Sequence, residues 1–227
     1  MTEVRRFDSW AALVEAAAQA LADRLAAAVA ERGLASLALA GGSTPSDIYR
    51  ALSGRALDWS RVAVTLTDER WVDPDSPDSN ARLVRASLLQ GPAQAARLIP
   101  LRGPAAVNLE DAARDASALV DALRPLDAVL LGMGADGHIA SLFPLNSALQ
   151  RGLDPAGTAA VIAAPAGAPA PVQPRLSLTL PVLAEAGSLL LTIRGEEKLQ
   201  VLNSAEAEAL PIVALLRAAP VHVYWAP

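Results

Sequence analysis

Short apolar segments alternate with longer segments of helical character along most of this chain. Apolar runs of strand length lie at 34–40, 62–67, 127–131, 176–180, 188–193 and 221–225. Segments with helical spacing of apolar residues, or with helix-capping residues at their ends, lie at 9–32, 45–52, 79–89 and 108–123. Strands that alternate with helices build βαβ units, whose strands lie parallel in one sheet. The pattern predicts an α/β fold with a mainly parallel sheet, and we expect residues 1–227 to form a single domain.

Composition argues against several classes of protein. The 227 residues include no cysteine, which excludes disulfides, thiolate catalysis and sulfur-bound metals. No apolar run approaches the roughly 18 residues that a membrane span requires, and the N-terminal residues lack the apolar core of a signal peptide. A net charge of −5 without a basic cluster argues against nucleic acid. We therefore expect a cytoplasmic protein with no membrane or nucleic-acid partner.

The segment 130–144, with the sequence LLGMGADGHIASLFP, is the most informative for function. Its glycines have the spacing G-x-G-x-x-G, which in dinucleotide-binding proteins opens a long helix and is followed about 20 residues later by an acid at a strand end. Here Pro144 interrupts the segment soon after the third glycine, and Asp154, the acid at that distance, lies in a Gly- and Pro-rich stretch. The context therefore argues against a dinucleotide site.

The same segment places an acid two residues before a histidine. Neutral imidazole titrates close to neutral pH, and a carboxylate can hold or polarise it, so Asp136 and His138 are candidates for general acid–base catalysis. The other histidine, His222, lies in the alternating stretch VHVYW and is predicted to be a structural strand residue. A histidine-based metal site is not expected, whereas a carboxylate-bound Mg²⁺ stays open.

A second candidate loop follows the apolar run 34–40. Its sequence is Gly41-Gly42-Ser43-Thr44-Pro45, and a helix is predicted to begin at the proline. Glycines let the backbone approach a ligand, and the free N–H groups and dipole of a helix N-terminus favour an anion, typically phosphate. No Walker lysine follows, so a nucleoside triphosphate is not indicated. A plain capped turn is the alternative interpretation.

Charged residues in three further segments complete the set of candidates. Asp68 and Glu69 follow an apolar strand and could bind sugar hydroxyls, and Arg70 could meet a phosphate or pair with these acids. Arg175 and Lys198 are predicted near strand or helix ends, and Lys198 is the only lysine among 19 basic residues. Each could add positive charge for a phosphate, and each could as easily be a surface charge.

Residues 152–174 interrupt the regular pattern. They are rich in alanine, glycine and proline, and the prolines crowd towards the end of the stretch. Long loops in compact domains are usually either functional or disordered. We expect a loop that is either a lid over the site or a flexible insertion.

Five blocks of this sequence together resemble the 6-phosphogluconolactonase family. They lie at 37–52 (LALAGGSTPSDIYRAL), 64–80 (VTLTDERWV and PDSN), 126–144, 175–183 and 194–202, in the family's order. The resemblance implies a Rossmann-like parallel sheet with helices on both faces, as in glucosamine-6-phosphate deaminase, and no nicotinamide or metal. It implies His138 as general base with Asp136 as its partner. The phosphate ligands that it implies are Gly42, Ser43, Thr44, Arg175 and Lys198, with Arg70 close by, and the substrate-binding set also includes Gly41 and Asp68.

Two positions depart from the usual lactonase sequence. Ala135 stands where glutamate is frequent, and Ile139 stands where threonine is frequent and where the deaminase has isoleucine. The deaminase continues into an Asn-Glu-Pro sequence with a catalytic acid, but this chain has SLFP at 141–144. The resemblance therefore implies hydrolysis of 6-phospho-D-glucono-1,5-lactone in the oxidative pentose phosphate pathway, by a monomer or homodimer. Amino-sugar-phosphate deaminase or isomerase activity, and sugar-phosphate binding without turnover, stay open as alternatives.

Overall fold

The computed structural model describes residues 3–42, 44–103, 108–167 and 172–227, so the predicted phosphate ligand Ser43 lies outside the described residues. The strands in these ranges are β1 (Val4–Arg6), β2 (Ala35–Leu39), β3 (Val62–Leu66), β4 (Asp68–Arg70), β5 (Arg97–Leu98), β6 (Ala128–Leu131), β7 (Val161–Ala164), β8 (Arg175–Leu178), β9 (Leu189–Arg194) and β10 (His222–Ala226). The α-helices are α1 (Trp10–Arg32), α2 (Ser46–Ser53), α3 (Asn80–Ser87), α4 (Leu109–Asp121), α5 (Leu149–Leu153), α6 (Leu180–Ala184), α7 (Glu196–Ser204) and α8 (Pro211–Ala218).

A seven-stranded parallel sheet forms the centre of the described structure. Its strand order is β1-β10-β9-β6-β2-β3-β5. The register brings Leu37 of β2 opposite Val64 of β3 on one side and Ala128 of β6 on the other. Helices flank the sheet, and α1 contacts β2, β6 and β10. The expected α/β architecture with a mainly parallel sheet is confirmed.

The central strands are apolar on both faces because the structure covers both faces. All five residues of β2 and all four residues of β6 are buried. Strands that are covered on both faces have near-continuous apolar runs, whereas strands with one wet face alternate. This requirement explains why the runs at 34–40 and 127–131 were recognisable as strands.

Helix α1 begins and ends where its sequence predicts. The hydroxyl of Ser9 accepts a hydrogen bond from the N–H of Ala12 at 3.2 Å, which makes Ser9 the N-cap. Gly33 follows the last turn with φ 76 and donates its N–H to the carbonyl of Val29. Although α1 has 23 residues, neither it nor any other helix in the described ranges combines the length and apolar character needed to cross a membrane.

A small antiparallel sheet corrects the prediction for residues 152–174. Its order is β4-β8-β7, and β7 comes from this stretch. All four residues of β7 are buried, and Ser117 of α4 binds both the N–H and the carbonyl of Val161. The prediction of an irregular lid or insertion is wrong for this part, because the burial of β7 depends on α4 and β8, which lie outside the stretch 152–174. Residues 168–171, with two of the prolines, lie outside the described residues.

Gly33→Ala is expected to destabilise the protein by about 1 kcal/mol, because a Cβ disfavours the left-handed conformation at the end of α1. No atom lies within 4 Å of the position that this Cβ would take, so the loss would come from the backbone alone. Gly54 ends α2 with φ −85 and equally open space, so Gly54→Ala is the matched control and is expected to be neutral or slightly stabilising. Urea unfolding measures both changes, and equal free energies of unfolding would contradict the explanation.

Candidate active site

The segments that follow β2, β6 and β9 meet at the carboxyl edge of the parallel sheet. With β4 and β8 they enclose a cavity of about 310 Å³, which is within the size range of small-molecule sites. Ligands of open α/β sheets bind at this edge. The cavity wall brings together eight of the residues singled out from the sequence, namely Gly41, Gly42, Thr44, Asp68, Arg70, His138, Arg175 and Lys198. Asp136 is hydrogen-bonded to His138 and is not part of the wall.

Asp136 and His138 form a hydrogen-bonded pair. Nδ1 of His138 lies 2.5 Å from Oδ1 of Asp136, and the backbone N–H of His138 donates to the same oxygen at 3.3 Å. Burial acts to raise the pKa of Asp136, but the hydrogen bond and charge of His138 outweigh it and hold that pKa below its usual value. An ionised carboxylate only accepts hydrogen bonds, so Nδ1 carries the proton and Nε2 is the basic nitrogen.

Glycines at two positions permit this close pairing. A Cβ on Gly134 would overlap the imidazole of His138 and the carboxylate of Asp136. Gly137 has φ 73, and a Cβ there would come within 2.6 Å of Leu210. The N–H of Gly134 also donates to the carbonyl of His138 at 3.0 Å, which closes the loop. The glycines at 134 and 137 therefore make room for the Asp136–His138 pair and allow the backbone conformation that it requires.

The residues after His138 form a tight turn. Ile139 and Leu142 make an isolated β-bridge, and both are buried. Ala140 lies between them with φ 48, an uncommon conformation for a residue other than glycine, and it lines the cavity. A dinucleotide site would require a long helix to begin in this segment. The turn argues against that interpretation on structural grounds, as the sequence context did.

Phe143 links the histidine to a cation of the site. The centroid of its ring lies 4.1 Å from that of His138, with an interplanar angle of 35°. The guanidinium carbon of Arg175 lies 5.6 Å from the same ring centroid. Because Phe143 is itself buried, its ring restricts how the imidazole can turn.

Gly41 and Gly42, which follow β2, occupy positions that favour glycine. Gly42 has φ 100, and a Cβ on Gly41 would overlap the side-chain amide of Asn80. Helix α2 begins at Ser46, one residue later than predicted, and Pro45 before it provides no side-chain cap. Thr44 and Pro45, which lie just before α2, line the cavity, so the positive end of the helix dipole faces it and favours an anion there.

Asp68 is a buried carboxylate at the wall of the cavity. Its Oδ2 accepts a hydrogen bond from the hydroxyl of Ser141 at 2.6 Å and lies 3.6 Å from Nη1 of Arg175. Among the residues that the structure describes, its Oδ1 accepts only a longer hydrogen bond, from the hydroxyl of Thr67 at 3.3 Å. A buried carboxylate usually accepts several hydrogen bonds, so Oδ1 retains capacity to accept another from a ligand.

Glu69 does not take the role suggested for it from the sequence. Its carboxylate accepts from the backbone N–H groups of Arg70, Asn80 and Ala81 and from the hydroxyl of Ser79. It therefore satisfies the start of α3, where Ser79 is the N-cap as the sequence suggested. Burial raises the pKa of Glu69 in spite of these backbone hydrogen bonds. The carboxylate is fully used by the protein, so the suggestion that it binds sugar hydroxyls is not supported.

Three cations line the cavity with few partners of their own. Nε of Arg70 and Nε of Arg175 are buried without a hydrogen-bond partner among the described residues, although Nη1 of Arg70 donates to the carbonyl of Asp78 at 2.6 Å. Burial lowers the pKa of Arg175, against the opposing charge of Asp68, and burial likewise lowers the pKa of Lys198, against Glu197. Three cations in one cavity wall, two of them with an Nε that lacks a partner among the described residues, form an environment suited to a polyanionic group such as phosphate.

Several residues of the site were not predicted from the sequence. Asn80, Ser141 and Phe143 all lie in blocks that had been singled out, but no local pattern indicates that they contact Gly41, Asp68 and His138. Met133, Ala140 and Thr192 also line the cavity. Across the described ranges, no group of three or more histidine, cysteine, aspartate or glutamate side chains is arranged to hold a metal ion.

Comparisons with known proteins point to one family. The family model described as Glucosamine-6-phosphate isomerases/6-phosphogluconolactonase matches residues 8–225. A 6-phosphogluconolactonase of Rhizobium meliloti is 48% identical over an alignment of 228 positions, which covers 97% of this chain and 97% of the relative. A 6-phosphogluconolactonase of Pseudomonas aeruginosa is 45% identical over 226 residues, covering 96% of this chain and 93% of the relative.

Solved structures show the same fold. A 6-phosphogluconolactonase from Shewanella baltica gives a TM-score of 0.93 at 38% identity, covering 100% of this chain and 98% of the other. A 6-phosphogluconolactonase from Thermotoga maritima gives a TM-score of 0.82 at 26% identity, covering 100% and 99%. Similarity over the full length in both sequence and fold shows that the chain belongs to the family of glucosamine-6-phosphate isomerases and 6-phosphogluconolactonases.

Proposed function

We propose that this chain is a cytoplasmic, single-domain enzyme that hydrolyses 6-phospho-D-glucono-1,5-lactone to 6-phospho-D-gluconate in the oxidative pentose phosphate pathway. The observation that carries the proposal is the Asp136–His138 pair beside a cavity lined by three cations. The pair supplies a base for water, and the cations supply a site for the phosphate. The full-length similarity to 6-phosphogluconolactonases supports this choice of substrate.

The phosphate of the substrate binds at the loop after β2. Backbone N–H groups of Gly42 and Thr44, which line the cavity, donate to its oxygens, and Arg175 and Lys198 supply the charge. Arg70 lies in the same wall and adds a third cation. Ser43, which the resemblance assigns to this group, lies outside the described residues. Binding provides hydrogen-bond acceptors for these cations, including the Nε atoms of Arg70 and Arg175 that have no partner among the described residues.

His138 acts on the water that attacks the C1 carbonyl of the lactone. Its Nε2 takes a proton from the water as the new C–O bond forms, and Asp136 stabilises the resulting imidazolium through Nδ1. The negative charge that develops on the carbonyl oxygen is stabilised by backbone N–H groups of a glycine-rich loop, each worth roughly 3 kcal/mol. The imidazolium then protonates the departing ring oxygen. One histidine serves both steps because the proton it takes is the proton it returns.

The deaminase alternative lacks a required group. In that branch the resemblance places a catalytic acid in an Asn-Glu-Pro sequence, whereas Phe143 lies in this stretch here and packs on His138. Ile139, the residue shared with the deaminase, is fully buried and does not line the cavity. Ala135 is exposed and also lies outside the wall. Neither of these two differences from the usual lactonase sequence, Ala135 and Ile139, therefore changes the surface that the substrate contacts.

His138→Gln is expected to lower kcat by about 10²–10⁴-fold, because it removes the positioned base. NMR on freshly prepared lactone, corrected for spontaneous hydrolysis, measures this rate. Calorimetry with 6-phospho-D-gluconate is expected to show nearly unchanged binding, since the cations remain. His222→Gln, at an exposed position of β10, is the matched control and should be as active as the wild type, as should chelator-treated enzyme. If His138→Gln turns the lactone over at the wild-type rate, the assignment is wrong.

Lys198 is expected to make phosphate binding pH-dependent. Burial lowers its pKa, so in the free protein it loses its proton at a lower pH than an ordinary lysine. A bound phosphate favours the charged form, so binding takes up protons and weakens as the pH rises through the lysine pKa. Calorimetry of 6-phospho-D-gluconate binding in buffers of different ionisation enthalpy measures this uptake. Lys198→Arg should bind without this proton uptake, because arginine stays charged. Equal proton uptake by both proteins would show that Lys198 does not contact the phosphate.

Ser141 and Asp68 are expected to act as a unit in substrate positioning. Ser141→Ala removes the shortest hydrogen bond to a buried carboxylate, and such a bond is worth about 1.5–3 kcal/mol, so kcat/KM should fall by about tenfold or more. In an Asp68→Asn background the same serine change is expected to have little further effect. Steady-state kinetics of the four proteins gives the coupling free energy. Additive losses would show that Ser141 acts independently of Asp68.

A further inference from the structure

A second cavity lies at the opposite edge of the parallel sheet. It has a volume of about 570 Å³, and the residues at the starts of β2 and β3 and just before β6 line it. It shares no wall residue with the cavity around His138. The two cavities lie at opposite ends of central strands of about five residues, and at about 3.3 Å per residue they are on the order of 16 Å apart. The second cavity is therefore separate from the proposed active site.

Apolar side chains form much of this wall. Leu34 is 62% exposed and is one of only four large apolar side chains that the described ranges leave strongly exposed. Leu123 and Pro125 stand in the same wall, together with the small apolar residues Ala35, Ala63 and Ala122. An apolar surface of this kind in a concave site favours a ligand with an apolar body.

The charged residues of the wall give it the opposite sign from the whole protein. The chain has a net charge of −5, but this wall contains four arginines and one aspartate, namely Arg32, Arg61, Arg97, Arg124 and Asp127. Asp127 is buried and already accepts from the N–H of Ser36 at 2.9 Å and from Arg32 at 2.5 Å. Its charge is therefore balanced within the protein.

Two of the four arginines retain capacity to bind an anion. The side chain of Arg97 is exposed and makes no ion pair or hydrogen bond to any residue in the described part of the chain. Nε of Arg61 lies 3.9 Å from Asp58, and both side chains are more than half exposed, so this ion pair is weak. Guanidinium groups match the geometry of phosphate, sulfonate and carboxylate oxygens.

We propose that this cavity binds a small organic anion, in which a phosphate, sulfonate or carboxylate group is attached to an apolar body. Arg61 and Arg97 bind the anionic group, and Leu34 and Leu123 contact the body. The volume is within the range of sites for small molecules. The proposal does not depend on the lactonase activity, since no residue of this wall takes part in the proposed reaction.

Anilinonaphthalene sulfonate, whose fluorescence rises in apolar sites, is the probe for this cavity. The native protein near neutral pH is expected to bind it saturably with one-to-one stoichiometry. The double change Arg61→Gln and Arg97→Gln should weaken binding by about tenfold or more, which is about 1.4 kcal/mol. The matched control, Arg82→Gln and Arg85→Gln, removes two exposed arginines of α3 and should bind as the wild type does. Leu34→Asp is an independent variant and should also lose the probe.

Displacement of the probe by other ligands, and binding of an uncharged analogue, test the proposal further. A saturating amount of 6-phospho-D-gluconate should leave the probe bound, and phenyl phosphate should displace it better than inorganic phosphate does. The neutral analogue phenylnaphthylamine should bind more weakly than the sulfonate. Displacement by 6-phospho-D-gluconate, equal binding of the neutral analogue, or unchanged binding in both the arginine double variant and Leu34→Asp would each overturn the proposal.

Discussion

The parallel pairing of β2 with β3 and β6 is the constraint on which the candidate site depends. Because the three strands run in one direction, the residues after Leu39, Leu66 and Leu131 all emerge at the same edge of the sheet. The loop after β2, for which we propose phosphate binding, therefore meets Asp68 and the segment of His138, although the three are far apart in the sequence. The pairing in turn requires strands that are apolar on both faces, and this requirement is met by the buried residues of β2 and β6.

At this edge, polar side chains from different segments hold one another in place. Ser141 from the loop after β6 binds Asp68 of β4, and Asn80 of α3 donates to the carbonyl of Asp68 at 2.8 Å. Within one loop, Asp136 binds His138. The hydrogen bond between Ser141 and Asp68 is buried, and such a bond is stronger than it would be in water. The groups that we assign to the reaction are thereby oriented before a substrate arrives, which is the condition for electrostatic stabilisation of a transition state.

Local patterns in the sequence predicted the features that depend on neighbouring residues alone. The ends of α1 follow from Ser9 and Gly33, and the apolar runs predicted the central strands. By contrast, the burial of β7 depends on a helix and a strand elsewhere in the chain, so an Ala- and Pro-rich stretch was wrongly expected to be irregular. The hydrogen bonds of Glu69 likewise depend on residues elsewhere in the chain, namely those at the start of α3. Residue types identified the candidates for the site, but only the fold could show which of them face the cavity.

The central claim is that His138 activates water for attack on the C1 carbonyl, with no covalent intermediate. A single turnover in ¹⁸O-labelled water, with wild-type protein in excess over the lactone, tests it most directly by mass spectrometry of the product. We predict that the label enters the new carboxylate of 6-phospho-D-gluconate in the first turnover, and that the protein stays unlabelled. An unlabelled product together with label in a protein carboxylate, such as that of Asp68, would instead show nucleophilic attack by the protein and would contradict the account.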